Sequence, residues 1–560
     1  MTADTLAALL LARTGDERPG LYAEERVWSW HEHVEAARGA AAWLDAHVPD
    51  RPRHVGVLCD NVPELLFLIG GAALSGHVVV ALNPTRPPAE LARDAAATHV
   101  TLVLFADPYA ETARALAAEL GVDCLPLGEA AEPAAEPEPA ARAAEPAVRT
   151  AETTLRAAET APGVRAVEPG DLVMLIFTSG TSGRPRAVRI TQRKLAIPGR
   201  SLAALLTPDD VVHCSMPLFH SGALMAAYAP ALASGAALVL RRRFSASGVL
   251  PDVRRYGCTY LHYVGKALSY VLATPPRPDD AANPLRIAFG NEGGATAVRR
   301  FGERFGCRVI DAFGSTETAI ALTPDPAGPP GSLGRLPEGV EIRDPATGER
   351  CPPARFADGR LVNAGEAIGE LVNVTGAGLF DGYYDDPEAD AERVRDGAFW
   401  SGDLAYADAA GHVFFAGRGT ERLRVDGENL AVAPIEAVLR EFAGVVEAAV
   451  YPVPDAVAGD QVMAALVLTG PFSPAAFAAF LASRRDLGVK GVPRYIRICR
   501  ALPQTPSHKV VKRDLAREAW RTADPVWLRT GTGWRLLDDE DVDAIEAGFA
   551  GHGRAHLLEE

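Results

Sequence analysis

Directly after the apolar run DLVMLIF the chain reads TSGTSGRPRAVRI, from Thr178 to Ile190. Thr178, Ser179, Gly180, Thr181, Ser182 and Gly183 are all small. Glycines let backbone N–H groups come close to an anion, and hydroxyls add further donors. Arg184 and Arg186 bring positive charge. The chemistry on offer is phosphate binding, although a loop of small residues is, on its own, equally a plain turn. It is no Walker loop, because no Gly-Lys-Ser/Thr sequence closes it. Other residues that carry chemistry are as ambiguous when taken singly. Phe313 reads as a core aromatic and Asp403, before a turn, as a cap. His220 in MPLFHSG is either a satisfied core histidine or a pocket group. Lys509 and Lys512 read as solvated surface lysines.

The ambiguity lifts when the segments are taken as a set. After the loop come Asp311–Thr318 (DAFGSTET), Ser401-Gly402-Asp403, Gly417–Gly427 (GRGTERLRVDG) and Thr505–Leu515 (TPSHKVVKRDL), in that order. This series resembles the adenylate-forming superfamily of acyl-CoA synthetases, adenylation domains and luciferases. The stretches Leu240–Leu272 and Gly378–Tyr406 resemble the branch of fatty-acid transport proteins, very-long-chain acyl-CoA synthetases and actinobacterial fatty-acid–CoA ligases.

The resemblance implies ATP and Mg2+ as cofactors and CoA as co-substrate. It implies that Thr178, Ser179, Gly180, Thr181, Ser182 and Gly183 wrap the β- and γ-phosphates, with Arg186 beside them. Thr316 would touch the α-phosphate, and Glu317 would hold the metal, since a hard carboxylate oxygen suits Mg2+. Phe313, followed by Gly314 and Ser315, would lie against the adenine, and Gly290, Asn291 and Glu292 would line its site. Asp403 and Arg418 would hold the ribose. Arg424 opens the segment that would approach when the C-terminal part turns about Glu421. His220, Tyr263, Val264, Gly265 and Lys266 would line the acid pocket, with Lys266 meeting either a substrate carboxylate or a structural acid. Lys509 would bridge the attacking carboxylate and the α-phosphate, so the expected catalytic set is Lys509, Thr316, Glu317 and His220. Three positions depart from the family's usual pattern: Arg186 for lysine, Glu421 for aspartate and His508 for glycine. None of them removes a needed functional group.

Positioning such a set takes more than one core. The chain has 560 residues, and single cores stop growing at roughly 250–300 residues, so at least two domains are expected. Residues 1–417 are expected to form an N-terminal ATP- and substrate-binding domain, residues 418–525 a mobile C-terminal domain, and residues 526–560 an acidic tail. HVGVLC, HVVVAL and TLVLF alternate with helical patterns such as ELARDAAA, the rhythm of βαβ units and a parallel sheet. AALVLRR, TYLHYVG, LRIAFG and RVIDAFG continue it, and short strands from Gly331 read as a β-rich subdomain. The fold class is therefore α/β: sandwiched mixed sheets with helices plus a β-rich subdomain, and a small α+β C-terminal domain. The longest apolar run, Leu65–Leu82, is interrupted by Gly70, Gly71, Ser75, Gly76 and His77. It reads as a buried helix, a turn and a strand rather than a membrane span. Residues 128–162 are Ala, Glu and Pro with almost no large apolar side chain, which predicts a flexible insertion.

A formal net charge of -16 repels phosphate backbones, so no nucleic-acid partner is expected. At most a peripheral membrane contact fits. Seven cysteines, none at CxxC spacing, point to neither a zinc site nor a disulfide framework and fit a cytoplasmic location. The activity implied by the resemblance is that of an AMP-forming ligase. It would activate a fatty or aryl acid as acyl-AMP, release pyrophosphate, and pass the acyl group to CoA. The alternatives are transfer to a carrier protein, or an ATP-dependent diazotase of secondary metabolism and antibiotic biosynthesis that activates nitrite and diazotises an aromatic amine. A purely binding protein would not require Glu317 and Lys509 together.

Overall fold

The computed structural model describes residues 4–130, 163–179, 185–357, 360–418, 423–425, 428–430, 432–457, 459–484, 487, 489–504, 510–531 and 533–558. Gly180, Thr181, Ser182, Gly183, Glu421, His508 and Lys509, with nearly all of the 128–162 insertion, lie outside the described residues. For Ser179, Arg418 and Arg424 the backbone alone is described.

Short runs of Val, Leu and Ile, too apolar to face water on either side, become strands covered on both faces. One six-stranded sheet runs in the order Asp123–Pro126, Leu102–Phe105, His54–Leu58, Val78–Ala81, Leu172–Ser179, Pro185–Thr191. Its pairings are parallel except for the last, an antiparallel hairpin. A seven-stranded sheet runs Arg308–Asp311, Ile287–Asn291, Tyr260–Val264, Val211–Cys214, Ala237–Leu240, Pro19–Ala23, Arg26–Ser29. Side chains of both sheets and of the helices between them share one core.

The apolar run resolves as expected into the helix Pro63–Ser75, a left-handed Gly76 at φ 72°, and the strand Val78–Ala81. Its glycines have a packing role. A Cβ on Gly71 would come within 2.8 Å of the Ala41 backbone nitrogen, so only glycine lets this helix lie so close to Trp30–His47. Among the described residues no helix is long and apolar enough to cross a membrane. All seven cysteines are free.

An antiparallel sheet built on Gly369–Asn373, Ala398–Ala407 and His412–Arg418 forms the β-rich part. The C-terminal sheet runs Val445–Pro454, Asp460–Leu468, Tyr495–Cys499, Val526–Thr530, Gly533–Leu536. The expected tail is thus ordered. It adds two strands and the helix Asp539–Gly551 to this sheet, because Val526, Leu528 and Phe549 bury themselves with Tyr451, Tyr495 and Trp520. The acidic residues that marked it as a tail cap that helix, Asp538 and Asp541 forming a reciprocal capping box. Lys512, expected in solvent, instead pairs with the buried Glu436 at 2.8 Å.

Candidate active site

The strands Leu172–Ser179 and Pro185–Thr191, which flank the small-residue loop in sequence, pair antiparallel, with Thr178 opposite Arg186 and Ser179 opposite Pro185. Arg186 is buried. Its Nη2 donates to Glu392 Oε2 at 2.5 Å, and its guanidinium lies over the Tyr383 ring at 5.4 Å. The arginine expected at the phosphates is therefore tied at one nitrogen to a protein carboxylate. The other, Nη1, is buried without a hydrogen-bond partner among the described residues.

The Thr318 N–H donates to the Ser315 carbonyl at 3.1 Å, which closes a tight turn around Thr316 and Glu317, and Thr318 takes φ 58°. Glu317 Oε1 accepts from the Tyr383 hydroxyl at 3.0 Å, and Arg393 Nε stands 3.4 Å from that hydroxyl. Burial works to raise the Glu317 carboxyl pKa. Its own backbone N–H, the Arg393 charge and the hydroxyls of Ser315 and Tyr383 outweigh that and hold it below the ordinary value. Lys194, wholly buried with its Nζ 3.2 Å from the Arg189 carbonyl, has its pKa pulled down to about 8 by burial, against the attraction of Glu317 and Asp381. Tyr383, Arg393 and Lys194 carry no motif of their own. Only the Gly378–Tyr406 stretch pointed towards the first two.

Phe313 and Gly314 pair with Leu322 and Ala321 in a two-stranded ribbon, with the Phe313 ring 6.3 Å from Phe415. Asp403 and Arg418 are direct cross-strand partners. Gly402 sits at φ 76° before Asp403, and its N–H donates to Glu370 Oε1 at 2.6 Å. Asn291 Oδ1 is a buried acceptor with no partner among the described residues, and Glu292 follows at φ 62°. A non-glycine residue in the left-handed region marks local strain, which collects at functional sites.

The strands Tyr260–Val264 and Ile287–Asn291 pair in parallel, Tyr263 opposite Gly290. A Cβ on Gly290 would overlap the Tyr263 carbonyl, which is why glycine stands there. Tyr263 is buried, and its hydroxyl donates to Asp311 Oδ1 at 2.8 Å, which also accepts the Gly293 N–H at 2.9 Å. Burial pushes the Asp311 carboxyl up to about 6. The Gly265 N–H donates to the Asn291 carbonyl at 2.8 Å. His220 packs its ring on Phe219 and precedes Ser221, whose hydroxyl lies 3.0 Å from Thr316 Oγ1. The next turns include a π-helical segment, Leu224–Tyr228, a local irregularity frequent at functional sites and invisible in the sequence pattern. Val264 lines the wall beside Gly222. Lys266 departs from the expected pocket lining: its Nζ meets Glu447 Oε2 of the C-terminal domain at 2.5 Å, which is the structural-acid alternative. The backbone of Arg424 pairs with Asn429 in the ribbon Leu423–Val425/Glu428–Leu430.

The structure thus offers a partly buried carboxylate held below its ordinary pKa, an orphan buried acceptor at Asn291 and a cross-strand Asp403/Arg418 pair. The AMP-binding enzyme family matches residues 11–384, and the AMP-binding enzyme C-terminal domain matches residues 434–509. The chain belongs to the AMP-binding enzyme family. It is 48% identical over 535 residues to a medium/long-chain-fatty-acid–CoA ligase, FadD17, of Mycobacterium marinum, covering 94% of this chain and 99% of that one. It is 43% identical over 565 residues to the steroid-22-oyl-CoA synthetase of Rhodococcus jostii, covering 99% of each. The fold matches that of ATP-bound MatB from Rhodopseudomonas palustris with a TM-score of 0.75 at 24% identity, over 92% of this chain and 98% of that one. The protein is an ATP-dependent, AMP-forming acid–CoA ligase. Its relatives lend no support to the nitrite-activating alternative.

Proposed function

We propose that the acid is large and apolar, a medium- or long-chain fatty acid or a steroid side-chain acid, and that the residues above divide the two half-reactions between them. The observation that carries the reading is the 3.0 Å contact between Ser221 and Thr316. It joins the Glu317 turn to a segment whose Leu224, Met225 and Ala227 are buried, so the acid end continues into apolar side chains. The names of the two relatives point to the same substrate class.

In this reading Asn291 Oδ1 accepts from the adenine amino group, Phe313 lies along the base, and Asp403 and Arg418 hold the ribose hydroxyls. Thr178 to Gly183 donate to the β- and γ-phosphates, and the unpartnered Arg186 Nη1 is a fitting neighbour for that charge. Glu317 suits a Mg2+ ion held by one carboxylate together with phosphate oxygens and water. When bound, the ion neutralises charge on the departing pyrophosphate. Thr316 and Lys509 steady the α-phosphate while a carboxylate oxygen of the acid attacks it and pyrophosphate leaves, and His220 borders the acid. These are positioning and electrostatic roles, which is what phosphoryl-centre displacement asks of a protein. The C-terminal part from residue 418 onward, including the strands and helix after Val526 that share its sheet, acts as the mobile part that then turns, so that the CoA thiol attacks the acyl carbonyl and AMP departs.

The test is AMP and pyrophosphate release with ATP and Mg2+ against dodecanoate, palmitate, a steroid side-chain acid, benzoate, and nitrite plus an aminobenzoate. Apolar acids with CoA-dependent thioester formation are the expected result. A preference for benzoate by kcat/KM, or nitrite-dependent AMP release without CoA, sinks it.

A further inference from the structure

We propose that Tyr270, Glu447 and Gln504 are positioning residues that fix the chain at the Gln504–Val510 bridge, next to Lys509 in sequence, for the adenylation step and for that step alone. The proposal rests on the role given to Lys509 above. Glu447 stands at a bulge at the start of the strand Val445–Pro454, only 5% exposed. A buried carboxylate is costly unless it is paired and hydrogen-bonded, and most of its partners come from the other domain. Lys266 Nζ reaches Oε2 at 2.5 Å. The Tyr270 hydroxyl donates to Oε1 at 2.8 Å and accepts from Gln504 Nε2 at 2.5 Å. The same amide nitrogen lies 3.1 Å from Glu447 Oε1.

Gln504 is the last described residue before Lys509. It forms a β-bridge with Val510, and the Val511 N–H donates to the Pro503 carbonyl at 2.8 Å. The chain on either side of Lys509 is therefore joined into a neck, and the tyrosine of the N-terminal domain grips that neck. Lys266 follows Gly265, which is bonded to Asn291, so the other root of the network lies in the wall of the site.

Buried ionic networks add little net stability but specify one arrangement strongly. This network is complete only while the domains are docked as described. When the C-terminal part turns away, Glu447 returns to water and the grip on the neck is lost. Tyr270, Glu447 and Gln504 thus favour the docked geometry without touching the reacting atoms.

The experiment measures the half-reactions separately on the full-length enzyme. Acid-dependent ATP–pyrophosphate exchange reports adenylation, and thioester formation from synthetic dodecanoyl-AMP and CoA reports transfer. Tyr270→Phe removes one hydroxyl and leaves no cavity. It should lower exchange about tenfold to a hundredfold, in the range expected for a misplaced catalytic group, with transfer unchanged or faster. Glu447→Gln should act in the same direction, and transfer in the same sample shows that each variant is folded. Equal losses in both half-reactions, or undiminished exchange in Tyr270→Phe, overturn the proposal. Lys509→Ala run alongside separates the two readings. If it abolishes exchange while Tyr270→Phe does not change it, only the positioning proposal falls. If it retains exchange, the assignment of Lys509 falls and the proposal falls with it.

Discussion

Glu317 and Glu447 are carboxylates in the same predicament, resolved in two ways. Each is drawn from water, each accepts a tyrosine hydroxyl, and each has a cation close by. For Glu317 the tyrosine and the cation are Tyr383 and Arg393, both on the large domain's own framework. For Glu447 they are Tyr270 and Lys266, and they belong to the opposite domain. The first arrangement exists whenever the large domain is folded, so the carboxylate is charged and aimed before any ligand arrives. The second exists only in one docking of the domains. An enzyme with two successive chemistries needs both kinds: permanent preorganisation within one domain, and a contingent contact where one geometry must later give way to another.

The largest effect is expected at Lys509, proposed above to bridge the acid and the α-phosphate. Lys509→Ala is expected to lower acid-dependent pyrophosphate exchange by about 10²–10³-fold, the scale of losing one preorganised electrostatic contact, with an unchanged thermal midpoint. Retained exchange would overturn that role, and with it the purpose proposed for the contact at Glu447. Glu317→Gln keeps the shape and deletes the charge. It should cost about 10²-fold in kcat and raise the Mg2+ concentration for half-maximal rate in a metal titration. An unchanged Mg2+ dependence would show that Glu317 is a structural acid.

A paired substitution sharpens the contrast. Tyr383→Phe should raise the Mg2+ requirement of exchange about tenfold or more and leave transfer from preformed acyl-AMP alone, because it removes one hydrogen bond to a charged carboxylate, worth about 1.5–3 kcal/mol. Tyr270→Phe should lower exchange without moving the Mg2+ requirement. If both variants shift the Mg2+ titration alike, the two networks are not separate.

The smallest effect concerns Lys194, behind Glu317. Its folded pKa of about 8 lies below its ordinary value of 10.5. Between those values the unfolded chain binds the extra proton, so stability rises with pH across that window, by at most about 1.4 kcal/mol per pH unit. Below pH 8 the penalty for charging the buried amine is complete. Lys194→Met should abolish that slope in denaturant melts between pH 8 and 10. A slope unchanged in the variant would place its origin elsewhere.

Much of the proposed nucleotide end is contiguous in the chain. Phe313 to Glu317 read as one motif, and the turn at Thr318 keeps them together. Strand alternation gave the two large sheets for the same reason, since period and β-branching are local properties. The tail was misread for a local reason too: acidic residues dominated its composition, while Val526 and Leu528, two apart on one strand face, and the distant Phe549 are what fold it. Lys266 was placed in the acid pocket from its neighbours in the chain, and its partner Glu447 lies 181 residues away.

The order of motifs from Thr178 to Leu515 by itself determined the family, the ATP chemistry and most of the residues proposed to carry it. Only the tertiary structure decided what surrounds each charge: Tyr383 and Arg393 on Glu317, Glu392 on Arg186, and Tyr270 and Gln504 on Glu447. A motif is written along the backbone, where neighbours are joined covalently. The desolvation and pairing of a charge depend on groups that meet only through packing, and those leave no spacing in the chain to be read.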